Sequence, residues 1–220
     1  GRDVLSQLIF GARTSMIIAG TSVAAAMVVG AVFGMLAGYF GKFTGSVIGS
    51  VFDVMLAFPQ LVLALTIVTF LGASESTRVR AIILALAIVA TPVLGRITRA
   101  SALSWSNREF VTASKALGAR NLRIMAREVF PNVLPALSSI AFLAVAVVIV
   151  AEGGLSILGL GVPSNQVSWG QVLATGGGDL TNLSNMVYSA SAVILLTVMA
   201  LNLLGDAIRQ PVLAGAVAHE

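Results

Sequence analysis

The sequence contains no cysteine, a single histidine and few charges: 10% of its 220 residues are Asp, Glu, Lys or Arg, against 57% hydrophobic. Without cysteine there are no disulfides, zinc–thiolate sites, iron–sulfur clusters or thiol catalysis. His219 stands near the C-terminal end, and no His/Asp/Glu cluster has metal-ligand spacing. No GxxxxGK[ST] phosphate loop occurs, so ATP is not bound by that route. An intramembrane serine protease needs a base for its serine, and no Lys lies inside an apolar run. Soluble domains are about 45–50% apolar and about 25% charged. With a mean hydropathy of +0.98, this chain has lipid as its solvent. It reads as one integral membrane domain over residues 1–220, and nothing calls for a nucleic-acid partner.

What is abundant is uncharged apolar sequence, in runs over 14–41, 54–74, 81–95, 129–151 and 180–205. A helix needs about 20 such residues to cross the hydrocarbon core. The shortest run is flanked by Arg78, Arg80, Arg96 and Arg99, which can snorkel from its ends. The runs predict five spans, at about 15–40, 47–71, 79–98, 135–158 and 186–206. They are long and continuous, not alternating as barrel strands are, and helices satisfy their own backbone groups in lipid. The expected fold is an all-α polytopic helical bundle. Gly1–Phe10 lacks the apolar core and cleavage site of a signal peptide. The chain opens on Gly1 without a methionine, and a further N-terminal segment is expected.

Basic residues set the orientation. With the 99–134 connection on the cytoplasmic side, Lys42, Arg96, Arg99, Arg108, Lys115, Arg120, Arg123, Arg127 and Arg209 are inside. Arg2, Arg13, Arg78 and Arg80 are then outside, which agrees with the positive-inside tendency. The connection over about 162–185 is outside. It is too apolar for an ordinary loop and too polar for a span. It reads as short interfacial or re-entrant helices with Trp169 near the headgroups.

The inner connection is helix-forming. Glu109 suits a helix start, "FVTASKAL" continues it, and Gly118 suits a left-handed cap. "NLRIMAREVF" reads as a second helix capped by Asn121, with Leu122, Met125 and Val129 on one face. Pro131 and Pro135 close the unit. Two readings stand: a basic loop that sets topology, or a docking knob whose small residues admit a close partner. Elsewhere, Asp53 and Glu152 are ionisable groups within apolar sequence and are candidates for function. The alternatives are an Asp53 paired at a helix end and a Glu152 satisfied by backbone beside Gly153 and Gly154. Pro59 and Pro92 are candidate kinks. Gly30, Gly34 and Gly38 have the spacing for close helix packing.

"REFVTASKALGARNLRIMAREVFPNVLP" resembles the EAA loop of ATP-binding-cassette importer permeases. "GRDVLSQLIFGARTS", "GMLAGYFG", "DVMLAFPQLVLAL", "AEGGLSILGLGV", "SWGQVL" and "ALNLLGDAIR" resemble the dipeptide/oligopeptide/nickel permease family, closest to its C-type subunit. The resemblance implies a sixth, N-terminal span ahead of residue 1. It implies that the loop is a coupling helix seated on an ATPase subunit, carried by Glu109, Ala113, Lys115, Ala116, Gly118, Ala119 and Arg120. The family often has Glu or Gln where Thr112 stands and Ala where Ser114 stands. Asp53, Pro59, Glu152 and Gly153 are candidates for the translocation path or a subunit interface. The implied partners are two cytoplasmic ATP-binding subunits holding ATP and Mg, a related permease forming a heterodimer, and an extracytoplasmic substrate-binding protein. The chain itself would be a non-catalytic subunit of an importer in the bacterial inner membrane, for di- or oligopeptides, nickel or glutathione. Other classes are a passive channel, which wants a filter or charge rings, and a structural scaffold, which leaves the inner helix–Gly–helix unexplained.

Overall fold

A computed structural model of the chain describes residues 3–177 and 185–217, with side chains up to 208. Arg2, Asp179 and His219, the side chain of Arg209, and part of the 162–185 connection lie outside the described residues. Every regular element among the described residues is helical. In chain order these are α1 (Val4–Phe40), α2 (Lys42–Ala57), α3 (Gln60–Leu71), α4 (Glu75–Ser106), α5 (Glu109–Ala116), α6 (Asn121–Ile124), α7 (Phe130–Ile157), α8 (Trp169–Gly176) and α9 (Asn185–Val217). A π-helical turn, Met125–Val129, joins α6 to α7. Among the described residues four helices are long and apolar enough to cross a membrane: α1, α4, the continuous 121–157 helix and α9. The α2–α3 pair makes a fifth crossing if counted as one broken span.

The helices exceed the expected spans. α1 is already helical at Val4, where Asp3 caps it by accepting from the Ser6 N–H at 3.1 Å and the Ser6 hydroxyl at 2.8 Å. Those bonds hold the Asp3 carboxyl below the usual carboxylate range. At about 1.5 Å per residue, the 37 residues of α1 reach well beyond a hydrocarbon core of about 30 Å.

The stretch expected to span over 47–71 is bent, with α2 and α3 meeting at 87°. Pro59 sits at the break with φ −56° and ψ 119°. Its ring removes a donor and pushes Phe58 out of the α region. Pro92 and Pro135, by contrast, lie inside continuous helices. Nor do Pro131 and Pro135 close the inner segment, because α7 runs through both. The π turn immediately before Pro131 re-registers the ladder, with the Phe130 N–H reaching Met125 O. The Asn132 side chain then donates to the Glu128 carbonyl at 2.6 Å.

The chain divides into two compact units. One comprises Gly1–Ala25, Phe58–Ala90 and Leu143–Leu203. Its buried residues include Ile18, Val23, Val68, Ile82, Leu86, Ile149, Leu155 and Trp169. The other comprises Ala26–Ala57, Thr91–Phe142 and Leu204–Glu220. Its packing rests on backbone proximity. A Cβ on Gly30 would lie 3.0 Å from the Gly95 nitrogen, and one on Gly38 2.6 Å from the Arg99 oxygen. A Cβ on Gly34 would strike the Gly95 oxygen and sit 2.6 Å from Thr98 Cβ. The glycine column on α1 is therefore what lets α4 approach, as small residues do between helices in lipid.

Candidate functional site

The inner connection folds into a helical hairpin. α5 begins at Glu109, an acid in the first turn, and carries Lys115 in its last. Both charges suit the helix dipole. Gly118 has φ +81°. The Ala119 N–H bonds Ser114 O and the Gly118 N–H bonds Lys115 O, each at 3.0 Å. This is a Schellman cap, and it needs the left-handed conformation that glycine adopts without a Cβ penalty. Only Val111 of α5 is buried. Glu109, Ala113 and Ala116 recur at helical spacing on its exposed surface. A Cβ added to Gly118 would meet nothing within 4 Å. Leu117 beside it is 88% exposed.

The underside of the hairpin is fixed. Val111 packs with Met35, Ala102, Ile124, Val129 and Val133, and Tyr39, Trp105, Ala119, Met125 and Phe130 close around them. The Ser114 hydroxyl donates to Glu128 at 2.7 Å. The Lys115 ammonium lies 5.1 Å from the centre of the Tyr39 ring, within cation–π range. The Arg108 guanidinium stands 5.5 Å over Trp105. Arg120 is exposed at the entry to α6 and offers it no side-chain cap.

Two expectations for the second helix are corrected. Asn121 does not cap it. Arg120 holds the cap position, and Asn121, the first helical residue, accepts a 3.0 Å hydrogen bond from the Tyr39 hydroxyl. Leu122 does not share the buried face but is 70% exposed, while Ile124, Val129 and Val133 are buried. The π turn is the reason: it inserts a residue into the 3.6 period, so the buried face advances from Ile124 to Val129.

Glu152 is the buried, satisfied carboxylate of the second reading, at 1% exposure, but it is held mainly by side chains rather than by backbone beside Gly153 and Gly154. Its carboxylate accepts from Ser168 at 2.7 Å, Ser156 at 2.9 Å and, more weakly, Ser15 at 3.5 Å. Gly170 adds a backbone hydrogen bond. A Cβ on Gly170 would sit 2.8 Å from Gly153 Cα, so the two glycines bring α8 against α7. Trp169 likewise packs inside the protein. It is buried, with its indole N–H donating to Leu8 O at 2.9 Å and its backbone N–H to Ser15 Oγ at 3.1 Å. Of these partners only Ser156, one helical turn on, is local in the sequence; Ser15 and Ser168 are brought to Glu152 by the fold.

Asp53 pairs with Arg96, and both remain substantially exposed. Pro59 is exposed at the α2–α3 break. Asp53 belongs to one unit and Pro59, Glu152 and Gly153 to the other. Tyr39 has no part in the sequence expectations, and Asn121 enters them only as a cap, not as the acceptor of the Tyr39 hydroxyl. The only signal for Tyr39 was a tyrosine ending an apolar run, in "GMLAGYFG".

The family described as binding-protein-dependent transport system inner membrane component matches residues 30–212. The chain is 39% identical over 209 residues to the di/tripeptide transport system permease protein DppC of Pseudomonas aeruginosa. That alignment covers 95% of this chain and 68% of the relative. It is 34% identical to the dipeptide transport system permease protein DppC of Alkalihalophilus pseudofirmus, covering 95% and 67%. It is 29% identical to the glutathione transport system permease protein GsiD of Pectobacterium atrosepticum, covering 95% and 68%. In fold it resembles a chain of the MetNI methionine ABC transporter in an inward-facing conformation, with a TM-score of 0.78 at 19% identity over 94% of this chain and 97% of that one. Helical spans, a capped inner hairpin and a sequence match over most of the chain thus agree: the chain belongs to the binding-protein-dependent transport system inner membrane components, as a multi-pass, all-α permease of the bacterial inner membrane.

Proposed function

We propose that this chain is one of two membrane-spanning permeases in an ATP-driven importer of di- or oligopeptides. It docks cytoplasmic ATPases through the α5–Gly118–α6 hairpin. The observation that carries the reading is the hairpin's two-sidedness. Its underside is locked by the Val111 cluster and the Ser114–Glu128 bond, while Glu109, Ala113, Ala116 and Leu117 stand exposed. A rigid helix that presents small residues outward can receive a close-fitting partner and pass on its movement. The peptide permeases among its relatives support the substrate class, and the glutathione permease keeps a peptide-like tripeptide within it.

In this reading the ATPases hold ATP and Mg, and this subunit is not catalytic. ATP-dependent closure of the ATPases moves the hairpins and opens the path alternately to each side. We assign Asp53 and Pro59, both exposed, to that path or to the surface met by the related permease. An extracytoplasmic binding protein delivers the substrate.

The absence of cysteine makes the test direct. A single Cys at Ala116, cross-linked in native membranes and identified by mass spectrometry, is expected to capture an ATP-binding subunit in a nucleotide-dependent manner. No ATPase adduct from a Cys accessible to the cytoplasm would overturn the docking role. The segment would then be a topology-setting loop, and a channel or scaffold would have to be considered.

A further inference from the structure

Tyr39 is the last residue but one of α1, the helix with the glycine column, and it makes a polar contact with each arm of the hairpin. Its hydroxyl donates to Asn121 at the start of α6. Its ring lies 5.1 Å from the Lys115 ammonium in the last turn of α5. These two partners flank the Gly118 turn. The same ring packs on the cluster of Met35, Ala102, Val111, Ile124, Val129 and Val133. The Ser114–Glu128 bond ties α5 to the π turn but does not reach α1. Apolar contacts alone allow sliding. A hydrogen bond to one arm together with a cation–π contact to the other fixes orientation.

We propose that Tyr39 is a positioning residue of the transport cycle, the joint that makes the hairpin and the inner part of α1 move as one body. This rests on the reading of the hairpin as the ATPase dock. If it holds, α1 follows the docked hairpin through every nucleotide state. The glycine column then carries the movement to α4, because Gly34 and Gly38 leave no slack against the α4 backbone. Without Tyr39 the hairpin still docks, since its exposed surface is untouched, but its displacement is taken up at the α1 junction.

The test uses the complete transporter with its ATPases, sister permease and binding protein in nanodiscs. Spin labels are placed at Val28, exposed on α1, and at Arg123, exposed on α6 and outside the small-residue surface of α5, and their distance is measured without nucleotide and with trapped ATP. With Tyr39 present the distribution is expected to be narrow and unchanged by ATP. Tyr39→Ala is expected to broaden it and make it ATP-dependent. The same variant should reduce binding-protein stimulation of ATP hydrolysis roughly fivefold or more, with the Ala116→Cys cross-link to the ATPase retained. Tyr39→Phe and Asn121→Ala remove the hydrogen bond but keep the ring, so they address a Tyr39→Ala protein that fails to assemble. Both should give the same intermediate broadening. An ATP-dependent distance with Tyr39 present, or an unchanged distribution in all three variants, overturns the proposal. A missing cross-link with Tyr39 present removes the docking reading and this inference together.

Discussion

The hydroxyl of Ser114 donates a 2.7 Å hydrogen bond to the carboxylate of Glu128, joining α5 to the π turn ahead of α7. The resembling family often has Ala at the first of these positions, so this bond is a local means of holding the hairpin. Glu128 is half-buried and can recruit water when the donor is lost, which keeps the cost near the low end for such bonds. Ser114→Ala is therefore expected to weaken the hairpin by about 1 kcal/mol. Hydrogen exchange across 109–129 should accelerate, while the thermal midpoint of the whole chain moves little. Unchanged exchange would mean that the Val111 cluster holds the hairpin alone.

Gly118 separates conformational strain from steric blockage. A side chain there meets no neighbour but must occupy φ +81°. Gly118→Ala is expected to cost about 1–2 kcal/mol and to fray the cap. Gly118→Asn should cost less, since Asn tolerates the left-handed region. If the two variants have equal effects on both hairpin exchange and ATPase coupling, strain is not the operative cause. Gly118→Trp adds bulk on the open side and should abolish coupling.

The glycine column gives a paired prediction on one helix. Gly34→Ala forces a Cβ onto the Gly95 carbonyl and Thr98, where backbone cannot yield cheaply. Overpacking of this kind costs about 1–3 kcal/mol, read as a lower thermal midpoint in detergent. Gly20→Ala on the same helix meets nothing within 4 Å and should be neutral or slightly stabilising, because alanine is the better helix former. Equal behaviour of the two would contradict the close approach of α1 and α4.

Glu152 holds α8 by accepting from Ser15, Ser156 and Ser168. Glu152→Ala leaves those buried donors without an acceptor and opens a cavity, for an expected loss of about 3 kcal/mol or more. Limited proteolysis should cut first near 162–177. Glu152→Gln keeps one acceptor oxygen and should lose much less. Were Glu152 a path-lining residue, Glu152→Gln would change transport while leaving stability and proteolysis untouched.

Much of this protein is legible in its sequence because its causes are local. Uncharged runs require helices in lipid, since no water satisfies the backbone there. Glu109 and Gly118 bound α5 through dipole and left-handed cap, and Pro59 had to interrupt something. What the tertiary structure decided are matters of meeting. Pro59 signals a break, but only packing sets the 87° between α2 and α3. The π turn shifts the buried face from Leu122 to Ile124, and a 3.6-residue reading cannot foresee an inserted residue. Glu152 finds Ser15 and Ser168 across long stretches of chain, and Tyr39 finds Asn121. A buried polar group must be paired, so the sequence determined that such partners exist. Only the fold, by bringing distant helices together, decided which they are.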